Sequence, residues 1–247
     1  MTQIITAAII KGGTGKTTTT AALSQAAKKA GFKVLCIDLD PQGNLSAFLD
    51  ADPERAGSVA FLHGAAPEDV IQKTKQGIDT IAASPDLATE RSEKGSAKRL
   101  AAALAPIKED YDFIFIDTPP QMGELTYNAL QASTGLLIPL EPDNSSIQGL
   151  YHVAEIYSDL RELGAKDLSL LGVFLTRYRS RAKINQFIRD AIKEAAEQIG
   201  APYLGEIRDG VAIREAQVMR QNLFDYAAKS NPALDYKKLF DQIKGRK

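Results

Sequence analysis

Residues 11–19 read KGGTGKTTT, placing two lysines, three glycines and four threonines within nine positions. Gly12, Gly13 and Gly15 accept backbone conformations that other residues resist, so successive N–H groups can turn inward on one anion. The run before them, IITAAII (4–10), reads as a strand, and the residues after them read as a helix up to Gly31. The positive end of that helix faces the same anion. Lys16 is placed to neutralise β- and γ-phosphates and the Thr17 hydroxyl to ligate Mg²⁺, the roles of the last two residues of GxxxxGK[ST]. The pattern is a variant, because Ile10 stands where its first glycine belongs. Lys11 has no task in this cradle. A cation at the loop's entrance points away from its own phosphates, and a γ-phosphate held by a second copy of the chain would give it a counter-charge.

Carboxylates complete a hydrolytic set. In KVLCIDLD (33–40) Asp38 and Asp40 lie two apart at a strand end and therefore face the same side, one to order Mg²⁺ and its waters, the other to position the attacking water. DFIFID (112–117) is an apolar strand closing on Asp117, the Walker B layout, whose carboxylate suits a hard cation through water. The chemistry is in-line attack of water on a γ-phosphate, driven by positioning and charge neutralisation. If a partner's lysine must complete the site, turnover is slow in the monomer.

Two basic stretches stand apart from this set. TRYRSRAK (176–183) carries Arg177, Arg179, Arg181 and Lys183 around Tyr178 between a strand and a helix, a pattern that fits equally a loop for DNA phosphates without base readout and a plain solvated loop. EIRDGVAIREAQVMRQ (206–221) carries Arg208, Arg214 and Arg220.

KGGTGKTT resembles the deviant Walker A motif of the ParA/MinD family of ATPases, in which the extra lysine acts across a nucleotide sandwich dimer. VLCIDLDPQGNLS (34–46) looks like the ParA switch region, and QMGELTYNALQAS (121–133) restarts a helix as the second switch does. The resemblance implies a single-domain α/β P-loop NTPase spanning 1–247, a mostly parallel twisted sheet with helices on both faces, and ATP and Mg²⁺ as cofactors. It assigns hydrolysis to Asp40 with Lys11 and Lys16, and the metal side to Asp38, Thr17 and Asp117. Nucleotide contacts fall to Lys11, Gly12, Gly13, Thr14, Gly15, Lys16, Thr17, Thr18 and Asp117. Arg181 best matches the family's DNA-binding arginine. The implied function is DNA partitioning: an ATP-dependent homodimer on non-specific double-stranded DNA, released when a ParB-like centromere-binding protein stimulates hydrolysis, in the cytoplasm on the nucleoid. Aligned on Glu215 and Ala216, the common wording IPRNVRLSEA has proline where this chain has Arg208, and arginines at Asp209 and Ala212. The proline's part against the adenine is therefore missing, and Arg208 and Arg214 become the candidate DNA face.

Rival readings are weaker. A MinD-like membrane-associated regulator needs a free amphipathic C-terminal helix, and Tyr236, Leu239, Phe240 and Ile243 do form a stripe among lysines. No flexible linker precedes it, so a membrane partner is not expected. An iron-sulfur reductase needs paired cluster cysteines, and Cys36 is the single cysteine. A ligase of the dethiobiotin synthetase kind leaves Lys11 unexplained. The phosphate loop starts so close to residue 1 that no helix-turn-helix domain is expected ahead of it.

The positioning elements follow from apolar runs: strands at 4–10, 33–39, 112–117, 135–140 and 168–175, whose continuous hydrophobicity suits a parallel sheet covered on both faces. Helices are expected over 183–199, with Ile184, Phe187, Ile188, Ala191, Ile192, Ala195 and Ile199 on one face and Gly200 as stop, and over the second half of 86–104. Residues 50–80 read as short helices among loops. The 247 residues are 44% apolar, and 30 Lys and Arg nearly balance 31 Asp and Glu, so any pull on nucleic acid must be local.

Overall fold

The computed structural model describes residues 2–90, 96–180 and 183–245. Its apolar runs become β1 (Gln3–Ala7), β2 (Val34–Asp38), β3 (Ile71–Lys73), β4 (Asp79–Ile81), β5 (Phe113–Asp117), β6 (Gly135–Leu140), β7 (Ser169–Tyr178) and β8 (Tyr203–Arg208). The sheet order is β3-β4-β2-β5-β1-β6-β7-β8, and only the β3–β4 pair is antiparallel. Between the strands lie α1 (Lys16–Lys29), α2 (Asn44–Leu49), α3 (Ser58–Leu62), α4 (Pro67–Val70), α5 (Arg99–Leu104), α6 (Glu124–Ala132), α7 (Ser145–Glu162), α8 (Lys183–Gln198), α9 (Val211–Val218), α10 (Leu223–Tyr226) and α11 (Asn231–Ile243).

Alternation along the strands splits the core. Val34 and Cys36 of β2 join Phe113 and Phe115 of β5 beneath α1, α9 and α11, while Leu35, Ile37, Ile114 and Ile116 pack on the other face against α3, α5 and α6. A further cluster under α7 and α8 takes Leu136, Ile138 and Leu140 from β6 with Val173 and Leu175 from β7. Helices thus cover both faces, as the fold class requires. The C-terminal stripe belongs to this core: Tyr236, Leu239, Phe240 and Ile243 are buried, and the Tyr236 hydroxyl is 3.2 Å from that of Thr19 in α1.

Several elements differ from expectation. Residues 50–80 hold α3 and α4 but also β3 and the start of β4, strands of three residues each, too short for alternation to register. β8 was unexpected because its sequence YLGEIR mixes polar residues into an edge strand. α8 forms as expected and stops at Gly200 (φ +70°), but Ile184 and Phe187 in its first turns are exposed, at 60% and 72%. Its buried positions are Ile188, Ile192, Ala195 and Ala196, because only the later turns lie over the sheet. Of the helix expected late in 86–104, α5 is its main part, and residues 91–95 lie outside the described residues.

Strand β7 accommodates a register shift against β6 between Leu136 and Leu137, and Gly172 lies opposite it at φ +147°. A Cβ there would meet the Pro202 carbonyl at 2.5 Å and Leu204 at 2.7 Å. Gly172→Ala is therefore expected to lower stability by about 2–4 kcal/mol through strain and overpacking. Urea unfolding checks this, and an unchanged midpoint would show that the close approach relaxes without cost.

Candidate active site

The loop from β1 to α1 sits at the carboxyl edge of the central strands, where open α/β sheets place their ligands. Gly13 (φ +81°) and Gly15 (φ +88°) take left-handed backbone, and Gly15 is the residue that starts α1. Thr176 at the end of β7 braces the loop from below, its hydroxyl donating to the Thr14 carbonyl at 2.9 Å. Lys16 is buried and donates to the Lys11 carbonyl at 3.1 Å, closing the cradle across its mouth.

β2 and β5 end in register, Asp38 beside Asp117. Asp117 is fully buried, and among the described residues neither of its carboxylate oxygens has a hydrogen-bond partner. The Thr17 hydroxyl is near enough to favour its charged form but does not close a well-formed hydrogen bond. Burial raises the Asp117 pKa well above the usual range, and the Asp38 and Asp40 charges add to the rise while Thr17 and Lys16 oppose it. Lys16 is shifted the opposite way, lowered by burial against the pull of Asp117 and Asp40. A buried carboxylate without donors, beside a threonine hydroxyl at a phosphate loop, has the chemistry of a Mg²⁺ site. Thr17 and Asp117 would hold the ion, which supplies charge neutralisation for the phosphates.

Asp38 is in a different state. Its Oδ1 accepts from the Asp40 amide at 3.0 Å, and its Oδ2 accepts from the Ser46 amide at 2.8 Å and hydroxyl at 2.7 Å. Burial nevertheless brings its pKa up to about 6, against the lowering effect of these bonds. With both oxygens occupied, Asp38 would act on a hydrated ion from behind. Asp40 is also buried, and its Oδ1 accepts from the Gln42 amide at 3.0 Å, so it caps the turn after Pro41. Ser46 ends the switch-like stretch, where its contact to Asp38 is not legible. Its hydroxyl also accepts from the Ala83 amide at 2.9 Å, which ties the switch-like segment to the end of β4.

Beside Gly15 and Thr18 a cleft of about 90 Å³ is lined also by Thr176, Arg177, Arg208 and Gln217. It adjoins the phosphate loop at Gly15. A larger groove of about 970 Å³ between α7 and α8 contains none of these residues.

Lys11 stands outside the cradle, as its position predicted, but it is not free. Its ammonium is hydrogen-bonded to Asp143 and, at 3.1 Å, to Ser145, with Glu141 at 3.9 Å. The short EPDNSS segment that supplies these partners (141–146) gave no sequence signal, because it lies 130 residues away and only the fold brings it near. Burial raises the Asp143 pKa, but Lys11 and the serine hydroxyls outweigh it and leave the carboxyl below its ordinary range. The basic residues are paired as well: Arg177 with Glu141 at 2.8 Å, Arg179 with Asp209 at 2.7 Å, and Arg208 with Asp235 at 2.7 Å. Arg214 is exposed, and Arg181 lies outside the described residues.

A glycine loop, a buried lysine at the helix start and a Walker B aspartate on the neighbouring strand define a P-loop ATPase that works with ATP and Mg²⁺. The family described as AAA domain matches residues 2–170. The chain is 31% identical to "Chromosome-partitioning ATPase Soj" of Thermus thermophilus over 241 residues, covering 96% of this chain and 93% of that protein. Cyanothece McdA in its apo form superposes with a TM-score of 0.87 at 27% identity, covering 99% and 98% of the two chains. The septum site-determining protein MinD of Pyrococcus horikoshii, solved with Mg-ADP, gives 0.80 at 27% identity over the whole of both chains. This chain belongs to the AAA-domain family of ParA/MinD-type P-loop ATPases.

The raised Asp38 pKa sets a pH dependence. The folded state holds this proton up to about pH 6, whereas an unfolded aspartate releases it near 3.8. Protonation therefore stabilises the fold as pH falls through 6, and the gain levels off below 3.8. Relative to Asp38→Asn, the nucleotide-free wild type is expected to gain up to about 1.4 kcal/mol per pH unit across that window. Chemical unfolding at pH 7.5, 6 and 4.5 measures it, and a pH-independent difference would contradict the assignment. Asp117→Asn is expected to abolish the extra thermal stabilisation that Mg²⁺ gives with ADP while ADP alone still binds, as followed by calorimetry.

Proposed function

We propose that the chain is a DNA-partitioning ATPase: with ATP·Mg it forms a homodimer on non-specific double-stranded DNA, and a ParB-like centromere-binding protein releases it by stimulating hydrolysis. The observation that carries this reading is Lys11, a second lysine placed outside its own phosphate cradle and directed to the loop before α7 instead. A cation so placed makes sense if it acts on the γ-phosphate of a second copy, with Asp40 positioning the attacking water and Lys16 and Thr17 serving their own nucleotide. Turnover is then slow until two copies and a partner meet, and ATP times the dimer. The full-length likeness to a chromosome-partitioning ATPase supports the biological setting, and a cytoplasmic, nucleoid-bound location follows from it.

The MinD-like alternative draws on the superposition with that protein. Against it stands α11, whose apolar stripe is spent on the core and leaves lysines and Leu234 outward. No helix among the described residues is long and apolar enough to cross a membrane.

On the DNA side, Arg214 is the strongest candidate because it is exposed and, among the described residues, no acid is paired with it. Arg177 and Arg179 present their guanidinium groups from within ion pairs, so phosphates must displace Glu141 and Asp209. Arg208 is a structural residue first, since both its amide and its guanidinium bind Asp235 and fasten β8 to α11.

Binding to random-sequence duplex at low salt, with ATP, ADP or no nucleotide, tests the reading. ATP alone should promote binding, Asp40→Ala should prolong it, and Lys11→Ala should abolish it together with dimerisation. Arg214→Ala should weaken binding about equally for all sequences and reduce the salt slope by about one. Arg208→Ala should instead lower stability by about 1–3 kcal/mol. Indifference to DNA in every state, with ATP-driven recruitment to anionic liposomes, would replace this reading with the membrane one.

A further inference from the structure

We propose that Asp143 stores Lys11 within its own chain, and that the ATP-dependent dimer forms by exchanging this carboxylate for a phosphate held by the second copy; the exchange rests on the dimer reading above, the storage contact does not.

The donors decide it. An ammonium has three hydrogens, and two of those of Lys11 meet Asp143 and Ser145, the latter at 3.1 Å, with the charge of Glu141 at 3.9 Å. A lysine held in this way must give up its Asp143 contact before its full charge can serve an anion across an interface. Asp143 cannot travel with it. Its Oδ1 accepts from the amides of Ser145 and Ser146 at 3.0 and 3.1 Å and from their hydroxyls at 2.8 and 3.1 Å, fixing the carboxylate at the start of α7. Glu141 is likewise held, by Arg177 at 2.8 Å. The acidic partners are therefore anchored, and the four-carbon stem of Lys11 is the part that can move.

The anchor extends to the nucleotide. Arg177 lines the cleft beside Gly15 and Thr18, and its backbone is held at φ +50°, an unfavourable value for a non-glycine residue. A nucleotide entering that cleft meets the residue that holds Glu141, one of the two acids facing Lys11. The charge balance favours exchange only when a triphosphate is presented, since its γ-phosphate carries more charge than a single carboxylate. ADP does not offer that group, so the stored lysine stays where it is.

An ion pair of this partial exposure is worth about 1.5- to 5-fold in an equilibrium constant, and a symmetric dimer breaks two. Asp143→Asn keeps an acceptor oxygen for the α7 amides and removes the charge. It is expected to tighten the dimer formed with a slowly hydrolysed ATP analogue by about three- to tenfold in analytical ultracentrifugation. Asp143→Glu should return it toward wild type. In the nucleotide-free protein, competitive acylation read by mass spectrometry should label Lys11 several-fold more in Asp143→Asn than in wild type, relative to exposed Lys238. Unchanged Lys11 labelling overturns the storage contact, and raised labelling with an unchanged or weaker dimer overturns the exchange. Wild-type dimerisation by Lys11→Ala instead sinks the dimer reading, and the labelling still decides the storage contact.

Discussion

Asp117 is buried at the end of the central strand β5 with no hydrogen bond to either oxygen among the described residues, and an ionised carboxylate in that state is unfavourable unless positive charge is brought to it. Much of the molecule is arranged around that need. Lys16 stands beside it on the first turn of α1, itself buried, its charged form disfavoured by that burial and only partly supported by Asp117 and Asp40. Each charge is tolerable because of the other, and a divalent cation with its nucleotide completes the balance. The glycine loop, the brace from Thr176 and the burial of α1 under α11 keep these groups from escaping to water.

What could be read from the sequence was what local chemistry fixes. The phosphate loop, β1, β2, β5, β6 and β7, and the aspartates closing β2 and β5 follow from glycine freedom, apolar runs and strand periodicity. What escaped was what only the tertiary fold decides. β3 and β4 are too short to carry a pattern, and β8 is an edge strand whose mixed composition resembles a loop. Ile184 and Phe187 share the helical period of the core residues of α8, yet they lie beyond the sheet's edge, which periodicity cannot report. The Asp143 and Glu141 partners of Lys11 have no motif because their meaning depends on distance in space, and Ser46 ends the switch-like stretch without its contact to Asp38 being legible there.

The arginines show the same limit from another side. Counted along the chain, 176–183 is a basic stretch; in space Arg177, Arg179 and Arg208 are met by Glu141, Asp209 and Asp235. A field built from such pairs is weak at range and becomes strong only where a polyanion displaces the acids at contact, which suits transient, sequence-independent association. Glu141 is shared between Arg177 and Lys11, so the two cations draw on one carboxylate. Contacts that compete for a common counter-charge are thermodynamically linked: whatever engages Arg177 alters how firmly Lys11 is held. Through that carboxylate, whatever engages either cation is felt by the other without any larger movement of the sheet or of the helices packed on it.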